Sequence, residues 1–377
     1  VGDVGDSGAM DLLADDLDCV FFMADESSGQ ALLGRFLQQL GAREGAGVFA
    51  ATPALPDWAT ALALLMNEAR AQDRRLVLVI DECQYLFEAD ATVPSVLQRL
   101  WDERQAATKL HIILCGSALG ALGRLGDSGQ PLHGRFDLKL KLEPFGFQDA
   151  ALFAPGWSAV DRLTLYGVFG GLARHLAYVD SSVSLGDNAA SELLHPLSAL
   201  HDAPHDILRS EHLSSRAHAD AVLSAIAQGE TRFNAIAARC GLSSNRLHYV
   251  MNELMALDIV SREGRFGDRE ASKISRYRCR DPFIRFWFRY VAPNRLALHS
   301  RSPDDVWRER ILPLVDNHMG HVFESIVAQA LLNGALGDTV GVIDEAAPYW
   351  SRDGRTEVDL LLRAGSRLVF VESKWHR

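Results

Sequence analysis

The sequence has few cysteines and no long hydrophobic run. Its five cysteines are scattered over 377 residues, and no two form a CxxC pair. This spacing argues against a zinc site or a disulfide framework and predicts reduced, buried thiols. No apolar run is long enough to cross a bilayer, and no basic-then-apolar leader opens the sequence. We therefore expect a cytoplasmic protein that makes no membrane contact.

The sequence also lacks an excess of basic residues. It has 38 Lys and Arg against 49 Asp and Glu, a formal net charge of -11. This charge argues against a protein that coats nucleic acid along its whole length, but leaves room for a local basic face. The apolar fraction of 48% is typical of globular proteins. A chain of this length predicts two or three domains.

One stretch predicts the centre of a parallel sheet. Residues 76–80 are apolar and end in the adjacent carboxylates Asp81 and Glu82. Open α/β sheets bind ligands at the C-terminal ends of their strands. In a P-loop NTPase, Asp81 would hold the Mg²⁺ shell of ATP, and Glu82 would polarise the attacking water. The alternative is an ordinary strand that ends in a solvated acidic turn.

A glycine-rich segment stands where a phosphate-binding loop is expected. The segment Gly5-Asp6-Ser7 replaces the Gly-Lys-Ser of GxxxxGK[ST], whose lysine contacts phosphates and whose hydroxyl binds Mg²⁺. Asp6 would repel a polyphosphate. Either the strand and first glycine of the site lie before Val1, or the loop has decayed. A flexible glycine-rich terminus is the alternative to a binding loop.

Three further side chains are candidates for sensing nucleotide. Strands at 18–24, 76–80, 110–117 and 136–142 alternate with helices, which predicts a doubly wound sheet. Ser117 ends one strand and would sense the γ-phosphate, or else cap a helix. Arg135 is a candidate arginine finger, or else an ordinary surface arginine. The sequence then predicts a helical lid, in which Arg174 would be a second nucleotide sensor. A connector over 181–206 is predicted to follow the lid.

Residues 207–290 predict a winged helix-turn-helix. Helices over 217–227, 233–239 and 244–257 precede a hairpin that contains several arginines. The start of the third helix and the hairpin would face double-stranded DNA through Ser244, Asn245, Arg246, His248 and Lys273. The alternative is a protein-interaction spacer. The aromatic helix at 281–291 would either stack on bases or form a core.

The C-terminal section resembles a metal-dependent nuclease site. Glu324 lies on a predicted helix, Asp359 on a strand, and Glu372 and Lys374 on the next strand. Because residues i and i+2 share a strand face, Glu372 and Lys374 would reach one site. Asp359 and Glu372 would hold Mg²⁺, and Lys374 would stabilise charge or orient water.

The order of these parts resembles a known family. The segments that carry the resemblance are 22–26, 78–86, 113–117, 168–171, 275–283, 286–288 and 372–375. They are similar to archaeal-type P-loop ATPases of the STAND/AAA-like class with a C-terminal domain of the DUF234 type, which is restriction-endonuclease-like. The resemblance implies ATP binding and hydrolysis at Asp81 and Glu82, with the winged helix and nuclease-like module as output parts. It also implies that the protein could form a homo-oligomer, because AAA-like modules often act as rings.

The expected fold class is therefore α/β, with four sections. They are an NTPase core at 1–145, a lid and connector at 146–206, the winged helix at 207–290 and the nuclease-like domain at 291–377. The chain departs from the family at Asp6, at Gly170-Gly171-Leu172-Ala173 where the family has Gly-Gly-x-Pro, and at its end directly after the Glu-x-Lys strand. The alternative function is a non-enzymatic DNA-binding regulator or scaffold with decayed sites.

Overall fold

The computed structural model describes most of the chain, in two compact units, Val1–Leu142 and Glu143–Arg377. The described residues are 18–43, 47–51, 54–71, 75–104, 108–116, 125–210, 213, 216–268, 275–335, 337–351 and 355–376. Five predicted site residues lie outside these ranges, namely Gly5, Asp6, Ser7, Ser117 and Lys273. None of the helices described is long and apolar enough to span a membrane.

The first unit contains the predicted parallel sheet. Its strands are β1 (Asp18–Met23), β2 (Leu76–Asp81) and β3 (Leu110–Leu114), in the order β1-β2-β3 with both pairs parallel. The central strand β2 is almost completely buried, because helices cover the sheet. The sequence pattern of residues 76–80 therefore identified the central strand.

Among the described residues of the first unit, four helices pack on this sheet. They are α1 (Gly29–Ala42), α2 (Trp58–Ala71), α3 (Cys83–Ala89) and α4 (Val93–Arg104), with a 3₁₀ turn at Gly47–Ala51. Phe22 of β1, Phe36 of α1 and Trp58 of α2 pack together, with the Phe22 and Phe36 ring centroids 5.3 Å apart. These aromatic contacts fix α1 and α2 against the sheet.

The strand predicted at 136–142 does not form. Within the described part of the chain this segment has no ladder partner, and Leu138 and Leu140 are 77% and 75% exposed. The alternation of leucine with charged residues is a strand pattern. A strand, however, also needs a neighbour to satisfy its backbone groups.

The connector predicted at 181–206 is instead largely helical. It holds helices at Leu185–Asn188 and Ala189–Leu194, and Leu193 and Leu194 are fully buried. Its polar residues cap and fasten these helices. The Ser184 hydroxyl accepts a hydrogen bond from the Asp187 amide, and the Asn188 side chain donates to the Asp180 carbonyl. Polar composition therefore indicated helix caps here rather than a loop.

The second unit continues with longer helices. They are α5 (Ala159–Phe169), α6 (Ala203–Ser210), α7 (Arg216–Ala227), α8 (Phe233–Cys240) and α9 (Ser244–Ala256). A hairpin of β4 (Val260–Glu263) and antiparallel β5 (Arg276–Cys279) follows α9. Helices α7, α8 and α9 and this hairpin are the predicted winged helix-turn-helix.

The aromatic segment after the hairpin belongs to the core. Helix α10 (Pro282–Phe286) continues into the π-helix Trp287–Val291, and Phe283, Phe286 and Trp287 are fully buried. The hypothesis that these rings stack on bases is therefore wrong. Burial of large aromatic surface explains their abundance.

The C-terminal section is a long helix beside a small antiparallel sheet. Helix α11 (Leu312–Leu332) precedes β6 (Glu345–Trp350), β7 (Glu357–Ala364) and β8 (Arg367–Val371), in the order β6-β7-β8. Short helical segments complete the unit, at Phe147–Ala150, Ala151–Phe153, Ala173–Leu176, Ala292–Asn294, Arg295–Leu298, Pro303–Val306, Trp307–Ile311 and Gly337–Val340.

Candidate functional site

The two predicted carboxylates lie at the C-terminal end of the central strand. Asp81 is the last residue of β2, is paired in register with Met23, and is 8% exposed. The Glu82 amide donates to Asp81 Oδ1 at 3.0 Å, and the Ala24 amide donates to the Asp81 carbonyl at 3.0 Å. The main chain therefore fixes Asp81 at the edge where parallel sheets bind ligands.

Glu82 has an uncommon backbone conformation. Its φ of 49° and ψ of 40° place a residue with a side chain in the left-handed region. This conformation costs about 1–3 kcal/mol and is concentrated at functional sites. It also lets β2 pass directly into α3. The Gln84 side-chain amide donates to Glu82 Oε2, which holds the carboxylate in place.

The end of β3 is fastened beside these acids. The Cys115 amide donates to the Ile80 carbonyl at 2.9 Å, and the Cys83 amide donates to the Cys115 carbonyl at 2.9 Å. Burial raises the pKa of the Cys83 thiol above its ordinary value, so this cysteine is a neutral packing residue. Of the five cysteines, Cys83 is buried and the other four are half-buried.

The edge of the sheet is acidic. Burial, and then the charges of Glu82, Glu26 and Glu88, raise the pKa of the Tyr85 hydroxyl. Three carboxylates, those of Glu82, Glu26 and Glu88, therefore place negative charge near Tyr85. Such a field favours a cation over a bare anion.

The donor set fits a Mg²⁺ ion that is bound together with phosphates. The described residues contain no group of three His, Cys, Asp or Glu side chains that would hold a metal. Mg²⁺ is usually held by one or two protein carboxylates, with waters and substrate phosphates as the other ligands. Asp81 and Glu82 supply two hard carboxylates. In addition, the buried Gln84 Oε1 has no hydrogen-bond partner within the described part of the chain.

The two candidate arginines have different surroundings. Arg135 makes a bidentate pair with Asp102, at 2.9 Å from Nε and 2.8 Å from Nη2, and Nη1 donates to the His133 carbonyl at 2.7 Å. All donor-bearing arms of this guanidinium are thus engaged within the first unit. Arg174 is exposed on the helical segment Ala173–Leu176 of the second unit.

The structure brings the four described DNA candidates together. Helix α9 begins after Ser243, whose hydroxyl accepts a hydrogen bond from the Arg246 amide. The predicted contact residues are all exposed on its first turns, namely Ser244, Asn245, Arg246 and His248. The opposite face of α9, which includes Leu247 and Val250, is buried. The apolar period of 3.6 residues explains this separation.

The three nuclease-like carboxylates do not assemble into a metal cluster. Glu372 and Lys374 lie beyond the end of β8 and are exposed, so strand alternation does not position them. Asp359 Oδ2 accepts hydrogen bonds from the amide and hydroxyl of Ser373, at 2.8 and 3.1 Å. Glu324 instead accepts from Arg278 Nη1 at 3.2 Å.

The pKa of Glu324 agrees with this pairing. Burial acts to raise it, but His321 and Arg278 outweigh burial and lower it below the ordinary value of a glutamate. The carboxylate is thus charged and stabilised by protein cations.

Sequence reasoning missed Gln84 and Arg278. Gln84 lies two residues after Glu82, a spacing at which helical side chains do not face each other, so the sequence carries no signal for this contact. Arg278 contacts Glu324, 46 residues away, and no local pattern predicts such a pair.

Comparisons with known proteins agree with the resemblance. Residues 287–377 match the family DUF234, described as archaea bacterial proteins of unknown function. An uncharacterized protein of Methanocaldococcus jannaschii is 25% identical over 301 residues, 79% of this chain and 67% of that protein. A second one from the same organism is 40% identical over 47 residues, 12% of this chain and 46% of that protein.

Solved structures show the fold. A Walker-type ATPase of Pyrococcus abyssi superposes with a TM-score of 0.53 at 16% identity, covering 76% of this chain and 89% of that one. The Aeropyrum pernix ORC2 protein, in ADPNP and ADP complexes, gives a TM-score of 0.43 at 13% identity over 81% of this chain and 83% of that one. The first of these superpositions shows that the chain shares its fold with a Walker-type ATPase, and the C-terminal residues match DUF234, as the resemblance implied.

Proposed function

We propose that this ATPase-fold protein couples the nucleotide state of its first unit to a DNA-facing winged helix in its second unit. The observation that carries the proposal is the pair Asp81 and Glu82 at the C-terminal end of the central parallel strand, with Glu82 in the left-handed conformation. A costly backbone geometry beside two acids is typical of a ligand site rather than of a solvated turn.

Each carboxylate has a distinct role in this proposal. Asp81 and Glu82 would hold Mg²⁺ there, and the ion would supply positive charge that offsets the charge of the ATP phosphates. Asp81, fixed by the Glu82 amide, would hold the water shell of the ion. Glu82, oriented by Gln84, would accept a proton from the attacking water.

Asp6 decides whether this site works as it stands. A carboxylate where the phosphate loop has lysine repels the polyphosphate, so we expect the chain as it stands to bind Mg·ATP weakly. Replacing Asp6 by lysine restores an attractive contact and should tighten binding about tenfold or more.

Calorimetric titration of Mg·ATP into the full chain and into Asp6→Lys tests the nucleotide half of the proposal. Phosphate release should appear in Asp6→Lys and be lost in Asp6→Lys/Glu82→Gln, with binding retained. The matched control is Asp6→Asn, which removes the negative charge without adding a lysine. Absence of binding in all of these variants would refute nucleotide coupling.

The DNA half of the proposal is supported by the exposed start of α9. Arg246 and His248 lie near the N-terminus of α9. In winged helix-turn-helix proteins the corresponding helix enters the major groove. Arg246→Ala should weaken binding to a mixed-sequence duplex about fivefold or more in a fluorescence anisotropy titration at low salt. Arg308→Ala, which removes another exposed arginine, is the control and should leave the affinity nearly unchanged.

The alternative is a non-enzymatic DNA-binding regulator or scaffold. Asp6 favours this alternative because it argues against a working phosphate loop. The pairing of Glu324 with Arg278 favours it because it argues against a working nuclease site. DNA binding without Mg·ATP binding by either the chain or Asp6→Lys would support this alternative. The homo-oligomer and the cytoplasmic location remain predictions.

A further inference from the structure

The hairpin of the winged helix is docked on the C-terminal sheet. The Phe266 amide donates to the Pro348 carbonyl of β6 at 2.9 Å, and the Gly267 amide donates to Glu345 Oε1 at 2.8 Å. Phe266 is buried, and the Arg363 guanidinium lies over its ring at 5.2 Å. The described segment that follows β4 is therefore held by both main-chain and side-chain contacts.

Two hairpin arginines face carboxylates of the C-terminal section. Arg276 lies over the Trp350 ring, 4.3 Å from its centroid, and its Nη2 donates to Glu357 Oε2 at 3.2 Å. Its side chain is only 13% exposed. The hydrogen bond from Arg276 lowers the pKa of Glu357, which keeps that carboxylate charged.

Arg278 lies between two acids. Its Nε is 2.7 Å from Glu263 Oε2 on β4, and its Nη1 is 3.2 Å from Glu324 Oε2 on α11. The guanidinium therefore links the hairpin to α11. The hydrogen bond from Nη1 to Glu324 is charge-assisted, and such bonds are about twice as strong as neutral ones.

Four arginines of the described part of the hairpin region are paired with carboxylates. Arg265 pairs with Asp268, and Arg280 pairs with Asp258 and Glu143, in addition to the pairs of Arg276 and Arg278. An arginine that is engaged with a carboxylate must release it before it can bind a DNA phosphate.

We propose that Arg276–Glu357 and Arg278–Glu324 form an ionic latch that docks the hairpin on the C-terminal section and masks both arginines from DNA. With the latch closed, α9 supplies the DNA contacts. With the latch open, the two arginines add phosphate contacts. The proposal has a docking half, that the latch holds the hairpin on the C-terminal section, and a masking half, that it keeps both arginines from DNA. The masking half rests on the proposed DNA function, whereas the docking half does not.

Neutralising both acids tests the docking half. The variant Glu324→Gln/Glu357→Gln removes two negative charges at the latch. The control Asp305→Asn/Glu309→Gln removes two charges from exposed arginine pairs elsewhere, those with Arg308 and Arg301. Both variants change the net charge equally and replace carboxylates by isosteric amides.

The first measurement needs no DNA. Hydrogen exchange of peptides covering Phe266 and Gly267 should be about tenfold faster in the latch variant than in the wild type, because the hairpin undocks more often. The control variant should match the wild type. Equal exchange in all three proteins would overturn the latch, whatever they do with DNA.

The second measurement is DNA affinity as a function of salt concentration. Each added phosphate contact steepens the slope of log K against log salt by about 0.9. The latch variant should therefore bind a duplex more tightly, with a slope steeper by up to about 1.8, while the control does not. A slope equal to that of the control would overturn masking. Accelerated exchange without DNA binding by any of the proteins would support docking and show that the proposed DNA function has failed.

Discussion

Acidification should destabilise the second unit through a buried histidine. His318 on α11 is completely buried, its Nε2 lies 2.7 Å from the Gly167 carbonyl, and its Nδ1 lies 3.1 Å from Arg285 Nη1. These partners suit a neutral ring that donates from Nε2 and accepts at Nδ1. Burial, and then the charge of Arg285, lower the pKa of His318 to about 3.

The magnitude follows from linkage between protonation and folding. The pKa of His318 is about 6.5 in the unfolded chain and about 3 in the folded chain. Between these values only the unfolded state binds the proton. The contribution of His318 is therefore complete above pH 6.5 and is lost as the pH falls, by about 1.4 kcal/mol per unit. At pH 5 the loss is about 2 kcal/mol.

Urea unfolding at pH 7 and pH 5 measures this loss. His318→Gln keeps one donor for the Gly167 carbonyl and one acceptor for Arg285, but does not titrate. Its unfolding free energy should fall between the two pH values by about 2 kcal/mol less than that of the wild type. His299→Gln, at an exposed histidine, is the control and should behave like the wild type. The reasoning is refuted when His318→Gln and the wild type lose the same free energy.

Three further substitutions probe packing in the same unit. A Cβ on Gly171 would lie 2.1 Å from the Phe145 carbonyl oxygen, so Gly171→Ala should lower the urea unfolding free energy by about 1–3 kcal/mol. Gly156→Ala places its Cβ in open space and should change it by less than about 0.5 kcal/mol. Phe286→Ala removes a fully buried ring, and a loss outside the range of about 3–5 kcal/mol would contradict its place in the core.

Local patterns predicted the elements that carry their own signal. The apolar run at 76–80 identified β2, because a strand buried on both faces excludes polar residues. The spacing of Leu247, Val250 and Leu254 identified the buried face of α9, and with it the exposed contact face. The position of Asp81 at the end of β2 followed from the same run.

Predictions that needed a distant partner were the ones that failed. The segment 136–142 has a strand pattern but no neighbouring strand among the described residues. The sequence around Glu324 likewise carries no sign that Arg278 reaches it.

The sequence by itself determined where the central strand β2 and helix α9 lie and which acids end that strand, because burial and period are properties of neighbouring residues. Only the tertiary structure decided which charges meet. The sequence shows that Arg276 and Arg278 are positively charged, but it does not show which acids they contact. Their partners Glu357 and Glu324 lie 81 and 46 residues away along the chain. Coulomb energy depends on distance in space, and only the folded chain sets that distance.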